Sequence, residues 1–402
     1  MSVEFVKPFV AVNPMKTENA EATIAPFAGR PAKVKIAYID HLKILTTILV
    51  VLHHSFITYG APGGWYYQQK THLLAAQFPM TIFVATNQSF FMGFFFFLSA
   101  LFIGSSYRKK GTGKFLLDRL KRLFVPLLFY SFVLSPVMNY IVWRYGHGGH
   151  SSFTNYVAGY NDWIDFGVMW FVAALLLFNF IYLLYKWIWP AVPIKVSWPG
   201  NRSLLLAGVI LGLVSFAVRL MFPTGWELSP VGFQLGYFPQ YIAFFIFGIV
   251  ASNNKWMEDF SLKQGKTMAW MARGMVLLIL PAIFVWFLVE KFPSNNFNGG
   301  WNPVSLIYSL WEQITGVMIC AALLCIAKFK WNNDTPLLKK MSADAFGVYV
   351  FHPLVLIVFA VLLKDWGVDP ALKLLVLAPC GVIGAFLFSG LLRKIPGVKN
   401  FL

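Results

Sequence analysis

Long apolar runs dominate this sequence and decide what it can fold into. Ten stretches of about 20 mostly apolar residues, the length that a helix needs to cross a bilayer, alternate with polar segments rich in charge, proline and glycine. They cover residues 42–60, 78–103, 123–143, 166–188, 203–222, 234–252, 268–289, 305–327, 342–363 and 371–392. None alternates apolar and polar residues as the strands of a membrane barrel do. The sequence therefore predicts an all-α polytopic membrane bundle of about ten transmembrane helices.

Charge is scarce in this chain, and its placement is one-sided. Only 12% of the 402 residues are charged, whereas soluble domains carry about 25%. If the N-terminus is cytoplasmic, the segments on that side hold 25 of the 33 Lys and Arg residues and the outer loops hold 5. Because cytoplasmic loops are enriched in Lys and Arg, this bias predicts both termini in the cytoplasm. It also explains the net charge of +17 without a nucleic-acid partner.

The segments at the two ends are short and polar. Residues 1–36 lack the apolar core of a signal peptide and are predicted to form a flexible cytoplasmic tail. Residues 37–392 are predicted to be one transmembrane domain, and residues 393–402 a short cytoplasmic tail. The three cysteines lie in apolar stretches, so we expect buried apolar side chains and no metal site.

Two adjacent histidines, His53 and His54, lie deep in the first predicted helix. A charged group at the centre of a membrane helix costs roughly 2.5–3.5 kcal/mol, so such residues need a partner, water or a role. Imidazole suits proton transfer to and from a hydroxyl. His54 follows Asp40 by about 21 Å of helix, which predicts a position in the outer half of the membrane. Only one of the pair is expected to face a shared cavity, because neighbouring residues point roughly 100° apart. The alternative is a structural pair satisfied by neighbouring helices.

Further polar residues interrupt the later spans. Glu312 is a candidate to orient or neutralise a protonated imidazole, or else a carboxylate at the outer helix end. His352 precedes Pro353, which bends a helix and frees a carbonyl, so His352 either lines a cavity or marks a structural kink. Other polar residues are expected to form hydrogen bonds between helices: Asn87, Asn179, Arg219 and Gln240.

A basic segment, residues 108–122, separates the second and third predicted spans. A short cytoplasmic loop is expected to be basic. A sharper interpretation is that Arg119 and Arg122, three residues apart, share one face of a helix. Two guanidinium groups on one face form a phosphate clamp, suited to a phosphorylated cytosolic donor such as a nucleotide thioester.

Taken in order, several segments resemble the acyltransferase-3 family of membrane acyltransferases. They are Asp40-x-x-Lys43 with His54 after ten further residues, Phe94–Ala100, the run from Arg119 to Pro126, Trp170-Phe171-Val172, Phe238–Gly248 and Tyr349-Val350-Phe351-His352-Pro353. The resemblance covers roughly residues 36–392. Trp311-Glu312 and the Tyr-x-x-His-Pro pattern are most similar to the branch of glucan biosynthesis protein C, which succinylates periplasmic glucans. Lys43 stands where the family more often has Arg, and Ala100 where Gly is commoner.

The resemblance implies an activity and a site. An acyl group, commonly acetyl or succinyl, would pass from acyl-CoA to a hydroxyl of an extracytoplasmic glycan or glycolipid. The enzyme is expected in the cytoplasmic (inner) membrane among lipids, with acyl-CoA as donor and no tightly bound cofactor. Some members carry an extra extracytoplasmic esterase-like domain that this chain lacks, so transfer is expected in the membrane domain or through a separate periplasmic acceptor-handling protein.

The roles that follow are hypotheses about individual residues. His54 is the expected general base, with covalent transfer through His54 as an alternative. The other expected residues are the catalytic candidates His53 and Glu312, the donor-binding candidates Arg119, Arg122 and Lys43, Asp40 as a gate with Lys43, and His352 and Trp170 as substrate-site or structural residues.

A proton-coupled transporter of a small polar solute is the alternative from another class. Buried His and Glu residues in ten helices would also suit such a carrier. The sequence has no evident internal repeat of the kind found in many transporters, and donor binding gives the basic segment a simpler role. A non-enzymatic scaffold would leave His53 and His54 unexplained.

Overall fold

The computed structural model describes residues 36–189 and 195–401. Within those ranges ten helices are long and apolar enough to cross a membrane and no strand forms, which confirms the all-α polytopic bundle. In chain order they are α1 (Ala37–Tyr59), α2 (Leu74–Ala100), α3 (Ile103–Gly146), α4 (Gly167–Ile188), α5 (Asn201–Arg219), α6 (Leu235–Asn253), α7 (Leu262–Val289), α8 (Pro303–Lys330), α9 (Pro336–Leu362) and α10 (Pro370–Leu392). The predicted N-terminal tail lies outside the described residues except for Ile36, as does Leu402 of the C-terminal tail.

The observed helices extend most predicted spans by a few residues, and α3 differs more. It begins at Ile103, although the apolar run begins at residue 123. The basic segment predicted as a loop is helical as far as Arg119, apart from a break at Gly111, where φ is +70°. Lys, Arg and Leu are good helix formers. A run of charges therefore ends the apolar stretch without ending the helix.

The interior of the bundle consists of α1, α2, α8 and α9. In α8, 72% of the most apolar window is buried within the protein, whereas in α7 the value is 17%. α8 packs along α5 and α7, α1 packs against α9 and α10, and the second half of α2 packs against α6. The most exposed helices carry large apolar side chains on their outer surfaces, as a lipid-facing helix requires.

α2 is interrupted between its two halves, at Ser89–Phe90. The side chain of Gln240 in α6 donates a hydrogen bond of 2.7 Å to the Ser89 carbonyl. Gly316 in α8 lies against the same carbonyl, and a Cβ atom there would stand 2.0 Å from its oxygen. Backbone groups at membrane depth need partners inside the protein. The interruption is therefore supported by residues of two neighbouring helices.

Two glycines allow α5 to lie close against α8. Gly208 and Gly212 are four residues apart, and a Cβ atom on either would stand 2.8 Å from a backbone Cα of α8, at Ile314 and Leu310 respectively. Small residues at this spacing let membrane helices approach closely. This contact brings Arg219, at the end of α5, against the buried face of α8.

Candidate functional site

The structure brings together two histidines from distant parts of the chain. His54 in α1 and His352 in α9 are joined by a hydrogen bond of 3.0 Å between Nδ1 of His54 and Nε2 of His352. Their rings are nearly parallel, with centroids 5.1 Å apart. His352 is fully buried, whereas His54 keeps part of its surface accessible. The sequence marked each residue separately, but nothing in it indicated that the two are partners.

Pro353 supplies a second contact for His352. A proline has no N–H, so it leaves the carbonyl four residues earlier without its helical partner. In α9 that carbonyl belongs to Tyr349, and Nδ1 of His352 lies 2.8 Å from its oxygen. The helix continues through this point from Pro336 to Leu362. The Tyr-x-x-His-Pro pattern therefore joins three residues in one local hydrogen-bonded arrangement.

Trp65 stacks on the accessible histidine. Its ring lies 4.0 Å from that of His54 at an interplanar angle of 16°. Trp65 belongs to the segment between α1 and α2, where Gly63 has φ +137° and a Cβ atom would stand 2.7 Å from Ile57. Glycine is suited to both conditions. Sequence reasoning missed Trp65, and its only signal was an aromatic residue shortly after a glycine-rich turn.

The residue after Trp65 ties this segment to α3. The hydroxyl groups of Tyr66 and Tyr130 lie 2.7 Å apart. Burial, and more weakly the nearby Asp165 carboxylate, raise the pKa of Tyr66 above its ordinary value. Tyr66 therefore stays protonated at neutral pH and can keep this hydrogen bond, which holds Trp65 next to His54.

His53 faces a different part of the bundle. It is buried, its ring stacks on Phe91 at 4.9 Å, and the Asn87 amide nitrogen lies 3.2 Å from its Nδ1. The same amide nitrogen donates to the Leu49 carbonyl. His53 is therefore enclosed by its neighbours, and the prediction that one of the two adjacent histidines faces a shared cavity stays a prediction. Asn87 also acts as the interhelical hydrogen bonder that the sequence predicted.

Glu312 pairs with an arginine and not with an imidazole. Its Oε2 accepts a hydrogen bond of 2.5 Å from Nη2 of Arg219, and Nη1 of the same guanidinium donates to the Ser309 hydroxyl. Neither His53 nor His54 shares a hydrogen bond with Glu312 among the described residues, so the orientation of an imidazole by Glu312 finds no direct contact to support it and stays a prediction. The close packing of α5 on α8 turns this face of α8 toward Arg219.

The ion pair belongs to a larger buried polar network. Oε2 of Glu312 also accepts from the Gln313 side chain at 3.0 Å, and Gln240 donates to Gln313 at 2.9 Å. Gln240 connects onward to the interruption of α2 through the Ser89 carbonyl. This network stabilises the contacts among α2, α5, α6 and α8, as the sequence predicted for Arg219 and Gln240.

Asp40 and Lys43 lie together near the start of α1. Their side chains form an ion pair of 3.3 Å, and both remain partly exposed. The Lys43 ammonium also lies 4.9 Å from the ring centre of Phe102, at the junction of α2 and α3. The predicted pairing is present, and the role of these residues as a gate stays a prediction.

Arg119 and Arg122 lie in different surroundings. A π-type turn covers Leu120–Phe124, directly after Arg119. Arg122 is 64% exposed and pairs with Asp118 at 3.2 Å. Arg122 is thus already paired within its own helix, and the phosphate clamp stays a prediction.

Arg119 differs from Arg122 in being largely unpaired. Its guanidinium lies 4.9 Å from the ring centre of Phe115. The side chain is partly buried, and its Nε has no hydrogen-bond partner in the described part of the chain. A guanidinium of this kind is the better placed of the two arginines to receive an anionic group.

Trp170 lies on an aromatic wall that leads to α9. Its ring stacks on Tyr241 at 5.4 Å. The adjacent Phe171 packs edge-on against Tyr349 at 5.8 Å. The Tyr349 hydroxyl donates to the carbonyl of Val168, at the start of α4. Trp170 is thus linked to the His352 region through packed aromatic rings.

Comparison with known proteins gives one result at the level of the whole chain. The model of the acyltransferase-3 family, described as an acyltransferase domain, matches residues 36–394. No curated protein and no solved structure matches the chain. The matched range includes both histidines of the α1–α9 contact and every other residue of the site described above.

Proposed function

This chain belongs to the acyltransferase-3 family of membrane acyltransferases, and we propose that it transfers an acetyl or succinyl group from acyl-CoA to a hydroxyl of an extracytoplasmic glycan or glycolipid. We place it in the cytoplasmic (inner) membrane, in the branch of glucan biosynthesis protein C. A separate periplasmic protein that handles the acceptor belongs to the same proposal.

The observation that carries this proposal is the state of the His54 imidazole. Nδ1 of His54 lies 3.0 Å from Nε2 of His352, so Nε2 of His54 is the ring nitrogen that does not contact His352. The residue is partly exposed, and its ring stacks on Trp65. A general base needs a free nitrogen in a fixed orientation within reach of the proton that it removes. The contacts with His352 and Trp65 give His54 the fixed orientation.

The proposed reaction uses His54 twice. A ring nitrogen takes the proton from the acceptor hydroxyl as the oxygen attacks the thioester carbonyl carbon. The carbon–sulfur bond then breaks, and the CoA thiolate takes the proton back from the imidazolium. In the alternative route the acyl group rests on His54 as an acyl-imidazole before the hydroxyl attacks.

The donor is proposed to enter from the cytosolic side. The Lys and Arg bias of the loops supports this orientation, because it assigns the Arg119 end of α3 and the Asp40 end of α1 to the cytoplasm. Arg119 would bind a CoA phosphate, with Lys43 as a further cation near the entrance. The pantetheine arm would then carry the thioester along the bundle toward His54.

Reconstituted membranes test the proposal directly. Vesicles that contain the protein are supplied with isotope-labelled acetyl-CoA or succinyl-CoA and with glycans extracted from the outer surface of the source cells, and mass spectrometry follows the label. The wild type and His150→Ala, which alters an exposed histidine of an outer loop, are expected to transfer label. His54→Ala is expected to transfer none. Wild-type transfer by His54→Ala would refute the assignment of the base.

A further inference from the structure

We infer that His352 is a positioning residue that fixes which nitrogen of His54 acts as the base, and that Pro353 makes this possible. The inference rests on the proposed function and deepens it. It is carried by a chain of two hydrogen bonds, from His54 to His352 and from His352 to the Tyr349 carbonyl, at 3.0 and 2.8 Å.

The first step concerns the Tyr349 carbonyl. In an uninterrupted helix this oxygen would accept from the N–H of the residue four positions later. That residue is Pro353, which has no N–H. The carbonyl is therefore available to a side chain, and the nearest donor is the His352 ring one turn along the same helix.

The second step fixes the hydrogen on His352. A carbonyl oxygen can only accept, so Nδ1 of His352 must carry the hydrogen. His352 is fully buried, and no carboxylate hydrogen-bonds to it among the described residues, so a second, charge-bearing hydrogen would have no counter-ion. A neutral imidazole has one N–H. Nε2 of His352 therefore presents a lone pair to His54.

The third step determines which nitrogen of His54 carries the hydrogen. Its Nδ1 faces the lone pair of His352 at 3.0 Å and must donate. Nε2 of His54 is then the nitrogen that holds a lone pair. It is also the ring nitrogen that does not contact His352, in a residue that is partly exposed. The hydrogen-bond chain thus assigns the basic lone pair to Nε2 of His54.

The arrangement resembles the orienting role of the aspartate in a serine-protease triad, with one difference. There the orienting group is a buried carboxylate that stabilises the imidazolium. Here the orienting group is a neutral imidazole, itself held by a peptide carbonyl. A buried carboxylate would require a costly charge at membrane depth. The neutral chain fixes the ring of His54 without that charge.

Enzyme kinetics with two substitutions at position 352 test the role of the side chain. His352→Leu removes the acceptor for His54 and is expected to lower kcat at least about tenfold, with little change in the KM for acyl-CoA. His352→Gln offers a carbonyl oxygen near the former Nε2 and is expected to recover part of that loss. A kcat for His352→Leu within twofold of the wild type would overturn the inference, provided that the unfolding temperature is unchanged.

Two proline substitutions, one at the site and one as a control, test the role of Pro353. Pro353→Ala restores an N–H that competes for the Tyr349 carbonyl, so kcat is expected to fall several-fold. Pro379→Ala removes the proline inside α10, outside this chain of contacts, and is expected to leave kcat unchanged. Equal kcat values for the two variants would remove the proline from the inference.

A measurement independent of activity separates this inference from the proposed function. Solid-state ¹⁵N NMR of histidine-labelled protein in lipid, with His54→Ala for assignment, identifies the protonated nitrogen of each ring. Hydrogens on Nδ1 of both His54 and His352 are expected. A hydrogen on Nε2 of neutral His54 would overturn the inference even if the enzyme is active. The expected hydrogens in a protein without transferase activity would refute only the proposed function.

Discussion

Arg219 and Glu312 form an ion pair in the interior of the bundle, with Nη2 and Oε2 2.5 Å apart and side-chain exposures of 0% and 1%. The pair joins the end of α5 to α8 at a point where both side chains are buried within the protein. Breaking such a pair leaves one charge uncompensated, which is far more costly than losing both. We therefore expect Glu312 to contribute mainly to the stability of the bundle, and to activity only through that stability.

Stability measurements on this pair give the first prediction. Arg219→Met is expected to lower the free energy of unfolding by about 3–5 kcal/mol, because Glu312 is left buried without its cation. The double variant Arg219→Met/Glu312→Leu is expected to lose less than the single variant. Thermal unfolding of the purified protein in detergent gives the comparison. The control is Lys255→Ala, from an ion pair with side chains 75% and 71% exposed, where little change is expected. A double variant less stable than the single one would contradict this view of the pair.

The two arginines of the basic segment should differ in donor binding. Arg119→Ala is expected to raise the KM for acyl-CoA roughly 10–100-fold, the effect of losing one hydrogen-bonded charge pair. Arg122→Ala is expected to have a much smaller effect, because Arg122 is exposed and already paired with Asp118. Steady-state kinetics at varied acyl-CoA give both values, and Lys114→Ala controls for the loss of one exposed positive charge in the segment. Equal increases in the KM for acyl-CoA in the two arginine variants would support a clamp in which both arginines bind the donor.

Trp65 is expected to contribute to kcat through its stacking on His54. Trp65→Ala removes the ring that holds the imidazole plane and should lower kcat about tenfold, since stacked aromatic pairs contribute about 0.5–1.5 kcal/mol beyond area burial. Trp65→Phe keeps a ring and should lower it less. Trp301→Ala, at a tryptophan 85% exposed between α7 and α8, serves as the control. Trp65→Ala with wild-type kcat would show that the stacking plays no part in catalysis.

The interruption of α2 depends on the glycine that faces it. Gly316→Ala places a methyl group against the Ser89 carbonyl, where the built Cβ lies 2.0 Å from the oxygen. We expect a loss of about 1–3 kcal/mol of stability, as for other overpacked sites. Gly274→Ala in α7 is the matched control, because its Cβ would have no neighbour within 4 Å. The unfolding temperatures of the two variants should therefore diverge, and matching temperatures would show that α2 and α8 can separate easily at this point.

Most of the fold could be predicted from the sequence because the bilayer imposes a length and an apolarity on every span. All ten spans were found in this way, and the largest error, the start of α3, arose because charge ends an apolar run without ending a helix. Apolar runs carry no information about which helices touch. The glycines at positions 208 and 212, which draw α5 onto α8, became informative only with the partner helix in view.

The sequence predicted individual residues of the site, but it did not predict which of them contact one another. His54 and His352 were both recognised as unusual, but their contact spans 298 positions of the chain and leaves no local pattern. Glu312 was matched to an imidazole because Arg219 was read as a hydrogen bonder at a helix end. The three-residue spacing of Arg119 and Arg122 also carries no information about their other contacts, such as the ion pair of Arg122 with Asp118.

The neutral chain from Tyr349 through His352 to His54 has a consequence for an energised membrane. Moving one elementary charge across a potential of 100 mV involves about 2.3 kcal/mol, so a fixed charge at depth responds to voltage. In the resting state the neutral rings of His54 and His352 and the Tyr349 carbonyl carry no net charge on which the field could act. The orientation of His54 should therefore be the same in vesicles with and without a transmembrane potential, and any voltage dependence of turnover would arise from the movement of the anionic donor.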